Sequence, residues 1–196
     1  KEQVGMNLLA AEARVDSQCM RGAYMGDLDR ERIGRARDTL AARDLYVNDQ
    51  SGIGVAEVRA EVQRVGRAEP LGLVVVDYIQ LMRLPGSDRE PHYARIGALT
   101  RGLKELAKDC CVPVLALSQL SRRVDYEKRQ PRLADLRESG NIEQDADVVL
   151  MLHQPDEDDD AMELLIRKNR NGPTGITNLI FRRHELRFEE QEDSHG

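Results

Sequence analysis

Val4, Leu8, Leu9 and Val15 recur at helical spacing, and Ala10, Ala11 and Ala13 add helix propensity, so the chain is expected to open on a helix. Two glycines between residues 16 and 27 are expected to break it. A second amphipathic helix is expected from Leu28 to Asp44, with Leu28, Ile33, Ala36 and Leu40 on one side. Leu45-Tyr46-Val47 reads as a short strand, and Ser51 as the N-cap of a helix running to about Arg67. Beyond Pro70 comes the strongest apolar run, Leu73-Val74-Val75-Val76-Asp77. It is continuous rather than alternating, the pattern of a parallel strand covered on both faces. A loop with Pro85, Gly86 and Pro91 leads to a helix of about eighteen residues ending at Asp109, its buried stripe Ile96, Leu99, Leu103 and Leu106. Val112 to Leu117 is the next strand, which makes the centre a βαβ unit. Asp147 to Leu152, Met162 to Arg167 and Gly175 to Phe181 read as further strands, with Gly172-Pro173-Thr174-Gly175 as the turn between the last two.

Composition bounds this picture. A chain of 196 residues, 40% hydrophobic and 33% charged, suits one domain with one core. No apolar run is long enough to span a bilayer and no secretory leader is visible, so no membrane association is expected. Cys19, Cys110 and Cys111 lack the spacing of a zinc site or a disulfide framework; reduced, core-filling thiols in a cytoplasmic protein are expected. The net charge is −6, which taken alone argues against nucleic acid. The distribution argues otherwise. Six acids fall from Asp156 to Glu163, five of them inside an expected acidic loop at 154–161, and four more open an acidic tail at 189–196. Ser121 to Arg137 carries six basic residues against three acidic, and Arg167 to Arg187 six against one. Screening limits a field to roughly 10 Å at moderate salt, so such stretches act locally.

The candidate chemistry sits at strand ends. Asp77 closes an apolar strand, where open α/β sheets bind ligands, and a carboxylate there can hold the hydrated magnesium of a nucleoside triphosphate. Ser118-Gln119 ends the next strand, where a neutral amide can reach a terminal phosphate. The stretch Asp135-Leu136-Arg137-Glu138-Ser139-Gly140-Asn141-Ile142-Glu143-Gln144-Asp145-Ala146-Asp147 is too polar for core yet leads into an apolar strand. Arg137 and the amides near Gly140 suit a phosphate, and a helix start capped by Ser139 is the plainer alternative. Lys168-Asn169-Arg170-Asn171-Gly172 tops an expected hairpin, so its cations are expected to project from a turn.

Taken together, the runs Leu73–Met82, Val112–Arg122, Asp135–Asp147 and Arg167–Gly175 resemble, in order and spacing, the C-terminal motor domain of bacterial replicative DNA helicases, the DnaB family of RecA-like ring ATPases. The resemblance spans almost the whole chain. It implies an α/β, RecA-like three-layer sandwich with a mostly parallel central sheet, residues 1–196 being a single partial helicase ATPase domain. It implies part of an ATP-dependent, hexameric replicative helicase that translocates on single-stranded DNA and unwinds duplex at the replication fork. Asp77 is then the Walker B carboxylate acting on Mg2+. Ser118 and Gln119 face the nucleotide, Gln119 as the γ-phosphate sensor. Arg137, Glu138 and Gly140 hold the DNA backbone, and Lys168 and Arg170 enter the next subunit's ATP site. Single-stranded DNA, further copies of the chain, primase and a helicase loader are the implied partners.

The chain departs from the family pattern in one respect. The G-x-x-x-x-G-K-[ST] phosphate loop is absent, since neither Gly-Lys-Thr nor Gly-Lys-Ser occurs in the sequence. Nor is Glu2 assigned the role of the water-activating glutamate. The motor domain is therefore expected to begin before Lys1, and the 196 residues alone are expected to be inactive. A RecA-type recombinase or repair ATPase, or a degenerate RecA-like interaction module without an ATP site, are the alternative readings.

Overall fold

The structure, a computed structural model, describes residues 1–22, 25–86, 90–121, 123–127, 129–139, 142–156 and 159–191. In chain order the elements are α1 (Glu2–Ala13), α2 (Ser17–Arg21), α3 (Asp27–Ala41), α4 (Val55–Gly66), β1 (Val74–Val76), α5 (His92–Asp109), β2 (Val114–Ala116), α6 (Arg123–Glu127), α7 (Ile142–Asp145), β3 (Val148–His153), β4 (Ala161–Asn169), β5 (Gly175–Arg182) and β6 (Arg187–Glu190). A 3-10 segment, Leu133–Ser139, precedes α7. The strands form a two-stranded sheet, β1-β2, and a four-stranded sheet in the order β3-β4-β5-β6. The chain groups into two compact units. One comprises Lys1–Asp49, Leu152–Leu164 and Ile176–Gly196, the other Gln50–Met151 and Leu165–Gly175.

In the first unit, Ala13, Val15 and Ala36 are buried together, with Leu9, Met20 and Ile33 packed against them. Small side chains on α1 and α3 let the two helices approach closely. Leu28, expected on the buried side of α3, is 73% exposed, because the inward stripe of that helix begins one turn later at Ile33. The expected break after α1 contains a short helix, α2, begun by Asp16, whose Oδ1 accepts from the Gln18 amide at 2.7 Å. The strand expected at Leu45–Val47 does not form: all three side chains are exposed and the backbone has no neighbouring strand among the described residues. The expected acidic tail starts inside β6. Glu189 there accepts from Arg182 at 2.9 Å, and Phe181 stacks on Phe188 at 4.6 Å between ring centroids.

In the second unit, β1 and β2 are parallel, with Val74 opposite Val114 and Val76 opposite Ala116. The stripe on α5 is buried as its period requires, from Ile96 through Leu106. It packs with Val76, Ile79, Met82, Leu136, Ile142, Val149, Met151 and Leu165 in the main core, while Leu106 joins Val62 and Val112 in a second cluster. Each such side chain contributes roughly 1.5–3 kcal/mol by leaving water. The apolar run at 73–77 is not covered on both faces. Val76 is buried, but Leu73 and Val75 are about half exposed, as are Leu115 and Leu117. Successive side chains of a strand point to opposite faces, and α5 covers one of them.

Two local expectations are corrected here. The N-cap of helix α4 is Gly54 rather than Ser51. The reason is a close approach: a Cβ at Gly54 would lie 3.0 Å from the Arg83 carbonyl and 2.8 Å from Glu57 Oε2, and the Arg83 amide donates to the neighbouring Ile53 carbonyl. The cysteines do not fill the core either. Cys19 and Cys111 are exposed and Cys110 is partly so, because Cys19 lies on the short α2, which buries no residue, and Cys110 and Cys111 follow the end of α5. No described helix is long and apolar enough to cross a membrane.

Candidate nucleotide and nucleic-acid site

Parallel pairing brings the first two candidates to one rim. Asp77 follows the last residue of β1, and Ser118-Gln119 lie just past the end of β2. The Leu117 amide donates to the Val76 carbonyl at 2.9 Å and the Ile79 amide to the Leu117 carbonyl at 3.0 Å, so the two strand ends remain zipped beyond the sheet. Asp77 and Gln119 are exposed and Ser118 half-buried. Gln80 fixes the Ser118 hydroxyl, its Nε2 donating to Oγ at 2.9 Å. Its Oε1 is buried without a partner among the described residues, an acceptor left over beside the rim.

This donor set fits magnesium better than a metal held by protein alone. Among the described residues no three His, Cys, Asp or Glu side chains form a metal cluster. Mg2+ keeps most of its waters and takes one or two carboxylates with substrate phosphates, so a single exposed Asp77 suits it.

The polar stretch after α6 is anchored from its first residue. Asp135 is buried, and its two oxygens accept from Arg129 Nη1 and Nη2 at 2.8 Å each. The Arg132 amide adds a third bond to Oδ2 at 2.7 Å. The Arg129 pair holds the Asp135 carboxyl at about 2, below its ordinary 3.8, against burial, which pushes the other way. A cleft of about 520 Å³ lies alongside, lined by Arg129, Gln130, Arg132, Leu133, Ala134 and Arg167. Arg167 is held in it by Gln130 Oε1 at 2.8 Å and the Pro131 carbonyl at 3.1 Å. Gly140 and the side chains of Arg137 and Glu138 lie outside the described residues.

Lys168 and Arg170 do not project freely from the β4–β5 turn. Arg170 donates from Nη1 to Asp147 Oδ1 at 3.1 Å and from Nη2 to the Gln144 carbonyl at 2.7 Å. Lys168 Nζ donates to the Glu143 carbonyl, and Lys104 of α5 pairs with the same Asp147. The turn folds back because a four-residue helix such as α7 leaves carbonyls that need donors. The Arg170 guanidinium nevertheless stays half exposed. The Lys104 ammonium, then Arg170 and Lys168, hold the Asp147 carboxyl below its usual range.

Spacing along the sequence singles out Asp77, Gln119 and the cationic turn, but not Arg129, Lys104 or Asp147. Asp147 closes the polar stretch and Asp135 opens it. Their partners come from other elements, which no local pattern announces.

A parallel βαβ centre with polar groups at its carboxyl rim defines the class: an α/β domain with a candidate ligand site at the strand ends. One solved ATPase domain superposes with a TM-score of 0.89 at 28% identity, covering 98% of this chain and 72% of that one. A DnaB-like replicative helicase, whose structure was described with its interactions with primase, gives 0.91 at 28% identity, covering 98% and 48%. The model of the DnaB-like helicase C terminal domain matches residues 1–190, and the chain belongs to that family. The replicative DNA helicase DnaC of Bacillus subtilis is 36% identical over 194 residues, 95% of this chain and 43% of its own length. The replicative DNA helicase DnaB of Mycobacterium leprae is 40% identical over 195 residues, 96% of this chain and 32% of its own length. The chain thus spans less than half of these relatives.

Proposed function

We propose that these residues form part of the ATP-driven motor of a replicative DNA helicase, which encircles single-stranded DNA as a hexamer and unwinds duplex at the replication fork. The observation that carries this reading is the shared rim of β1 and β2, with Asp77 and Ser118-Gln119 at its edge. In it, Asp77 holds hydrated Mg2+, Ser118 faces the phosphates, and Gln119 registers the presence of the γ-phosphate. Bound magnesium neutralises charge on the triphosphate. Lys168 and Arg170 serve the ATP site of the next subunit, where a guanidinium stabilises transition-state charge. Arg137, Glu138 and Gly140 grip the DNA backbone, a contact indifferent to sequence, as a translocating motor requires. Primase and a loader are the partners this role needs, in the cytoplasm where the chromosome is copied.

The test is unwinding of a forked duplex by the full-length protein. Asp77→Ala is expected to abolish both hydrolysis and unwinding. Arg137→Ala is expected to weaken single-strand binding and to lower its salt slope by roughly 0.7, one phosphate contact. Strand exchange between homologous DNAs in place of fork unwinding would establish the recombinase reading instead.

A further inference from the structure

Gln80 stands three residues after Asp77, on the 3-10 turn Ile79–Leu81 that follows β1. That turn is held from two sides. Ile79 and Met82 are buried in the main core, and the Ile79 amide donates to the Leu117 carbonyl just past the end of β2. The backbone therefore places Gln80 beside the rim, and its half-buried side chain reaches across to the Ser118 hydroxyl.

The direction of that bond decides what Ser118 can do. A serine hydroxyl has one proton to give and two lone pairs with which to accept. Gln80 Nε2 donates to Ser118 Oγ at 2.9 Å, so the bond occupies a lone pair and leaves the proton. Within the chain that proton is loosely engaged, since Oγ lies 3.5 Å from the Gln119 carbonyl, longer than an ordinary hydroxyl bond. A hydroxyl held by its lone pair is ready to donate to an anion. The other end of the amide adds a second observation: Gln80 Oε1 is buried without a partner among the described residues. A stranded acceptor costs stability, so packing alone gives no reason for an amide here rather than an apolar side chain of the same length.

We propose that Gln80 is a positioning residue for the nucleotide, fixing the Ser118 hydroxyl as a donor to a phosphate oxygen and acting through Ser118 rather than by touching phosphate itself. The proposal rests on the reading of the β1–β2 rim given above. Without the Gln80 amide the hydroxyl is free to rotate, and its proton has no preferred direction to offer the phosphate.

The test is binding of a non-hydrolysable ATP analogue with Mg2+ to the full-length protein, followed together with the melting temperature. Ser118→Ala is expected to weaken binding about tenfold or more, the loss of a hydrogen bond to a charged group. Gln80→Met keeps the length of the side chain, removes both polar ends and is expected to weaken binding about three- to tenfold. Its melting temperature without nucleotide should stay within about 2 °C or rise, because the lost bond and the removed stranded acceptor offset one another. In the Ser118→Ala background Gln80→Met should cost no more than about twofold further. An undiminished loss in that background, unaltered binding in either single variant, or a larger fall in melting temperature would overturn the proposal. Should Gln80→Met fail to fold, Gln80→Glu decides. Its carboxylate only accepts and so draws away the Ser118 proton, and binding is expected to fall about tenfold or more, and by less once Ser118 is alanine. Equal falls with and without the hydroxyl, or normal binding, would count against the proposal. Asp77→Ala separates the two levels. Normal hydrolysis in that variant removes the reading of the rim itself, whereas lost hydrolysis in Asp77→Ala beside normal analogue binding in Gln80→Met removes the role of Gln80 alone.

Discussion

Asp135 shows how much one side chain contributes to the geometry around it. Three bonds, two from Arg129 and one from the Arg132 amide, hold a carboxylate with 7% of its side chain exposed. Its carboxyl titrates near 2 in the folded protein against 3.8 when free, so the folded state is favoured wherever the carboxylate is ionised. The stabilisation is full above pH 4 or so and is lost as the pH falls through about 2. It amounts to roughly 2 kcal/mol. Urea titrations at pH 7 and pH 3 are expected to show a steep acid loss in the native sequence. Asp135→Asn should show a smaller acid loss and lower stability at neutral pH, where Arg129 loses its partner. The sequence marks the polar stretch as unusual because its composition suits neither core nor surface helix. It does not reveal that Asp135 is buried or that Arg129, six residues earlier, answers it, since no helical or strand period connects the two.

Elements were legible in proportion to their length. Helix α5 has eighteen residues, long enough for four inward side chains to repeat the helical period, and its end at Asp109 is where the sequence puts it. Leu106, fully buried with Val62 of α4 and Val112, anchors the second cluster. Leu106→Ala is expected to cost about 2–5 kcal/mol, read as a fall in the denaturant midpoint at unchanged slope. Short elements carry no such periodicity. The five residues of α2 and the four of β6 depend on a capping aspartate and on cross-strand pairs, Phe181 on Phe188 and Arg182 on Glu189, that only tertiary placement brings together. Leu45-Tyr46-Val47 has the composition of a strand, but a strand needs a hydrogen-bonded neighbour as well as β-branched and aromatic side chains.

At the scale of the whole chain, the family was legible because its signatures are local runs at fixed strand ends, whereas the tie between Asp147 and Arg170 joins residues 23 positions apart. The 196 residues supply an exposed carboxylate at one strand end, a polar end on the next strand and the cationic turn, and they contain no phosphate-loop sequence. Magnesium-dependent phosphate release by this polypeptide alone is therefore expected to stay at background, and measurable release would locate a triphosphate cradle within it. The half-exposed Leu73, Val75, Leu115 and Leu117, on and flanking the small parallel sheet, have a practical corollary for anyone handling the isolated polypeptide. An oily stripe on so short a pair of strands invites molecules to stick to one another, and the net charge of −6 gives only weak mutual repulsion in saline buffer. Turbidity that grows with protein concentration and clears with mild detergent would be the first sign on the bench, well before any assay of turnover.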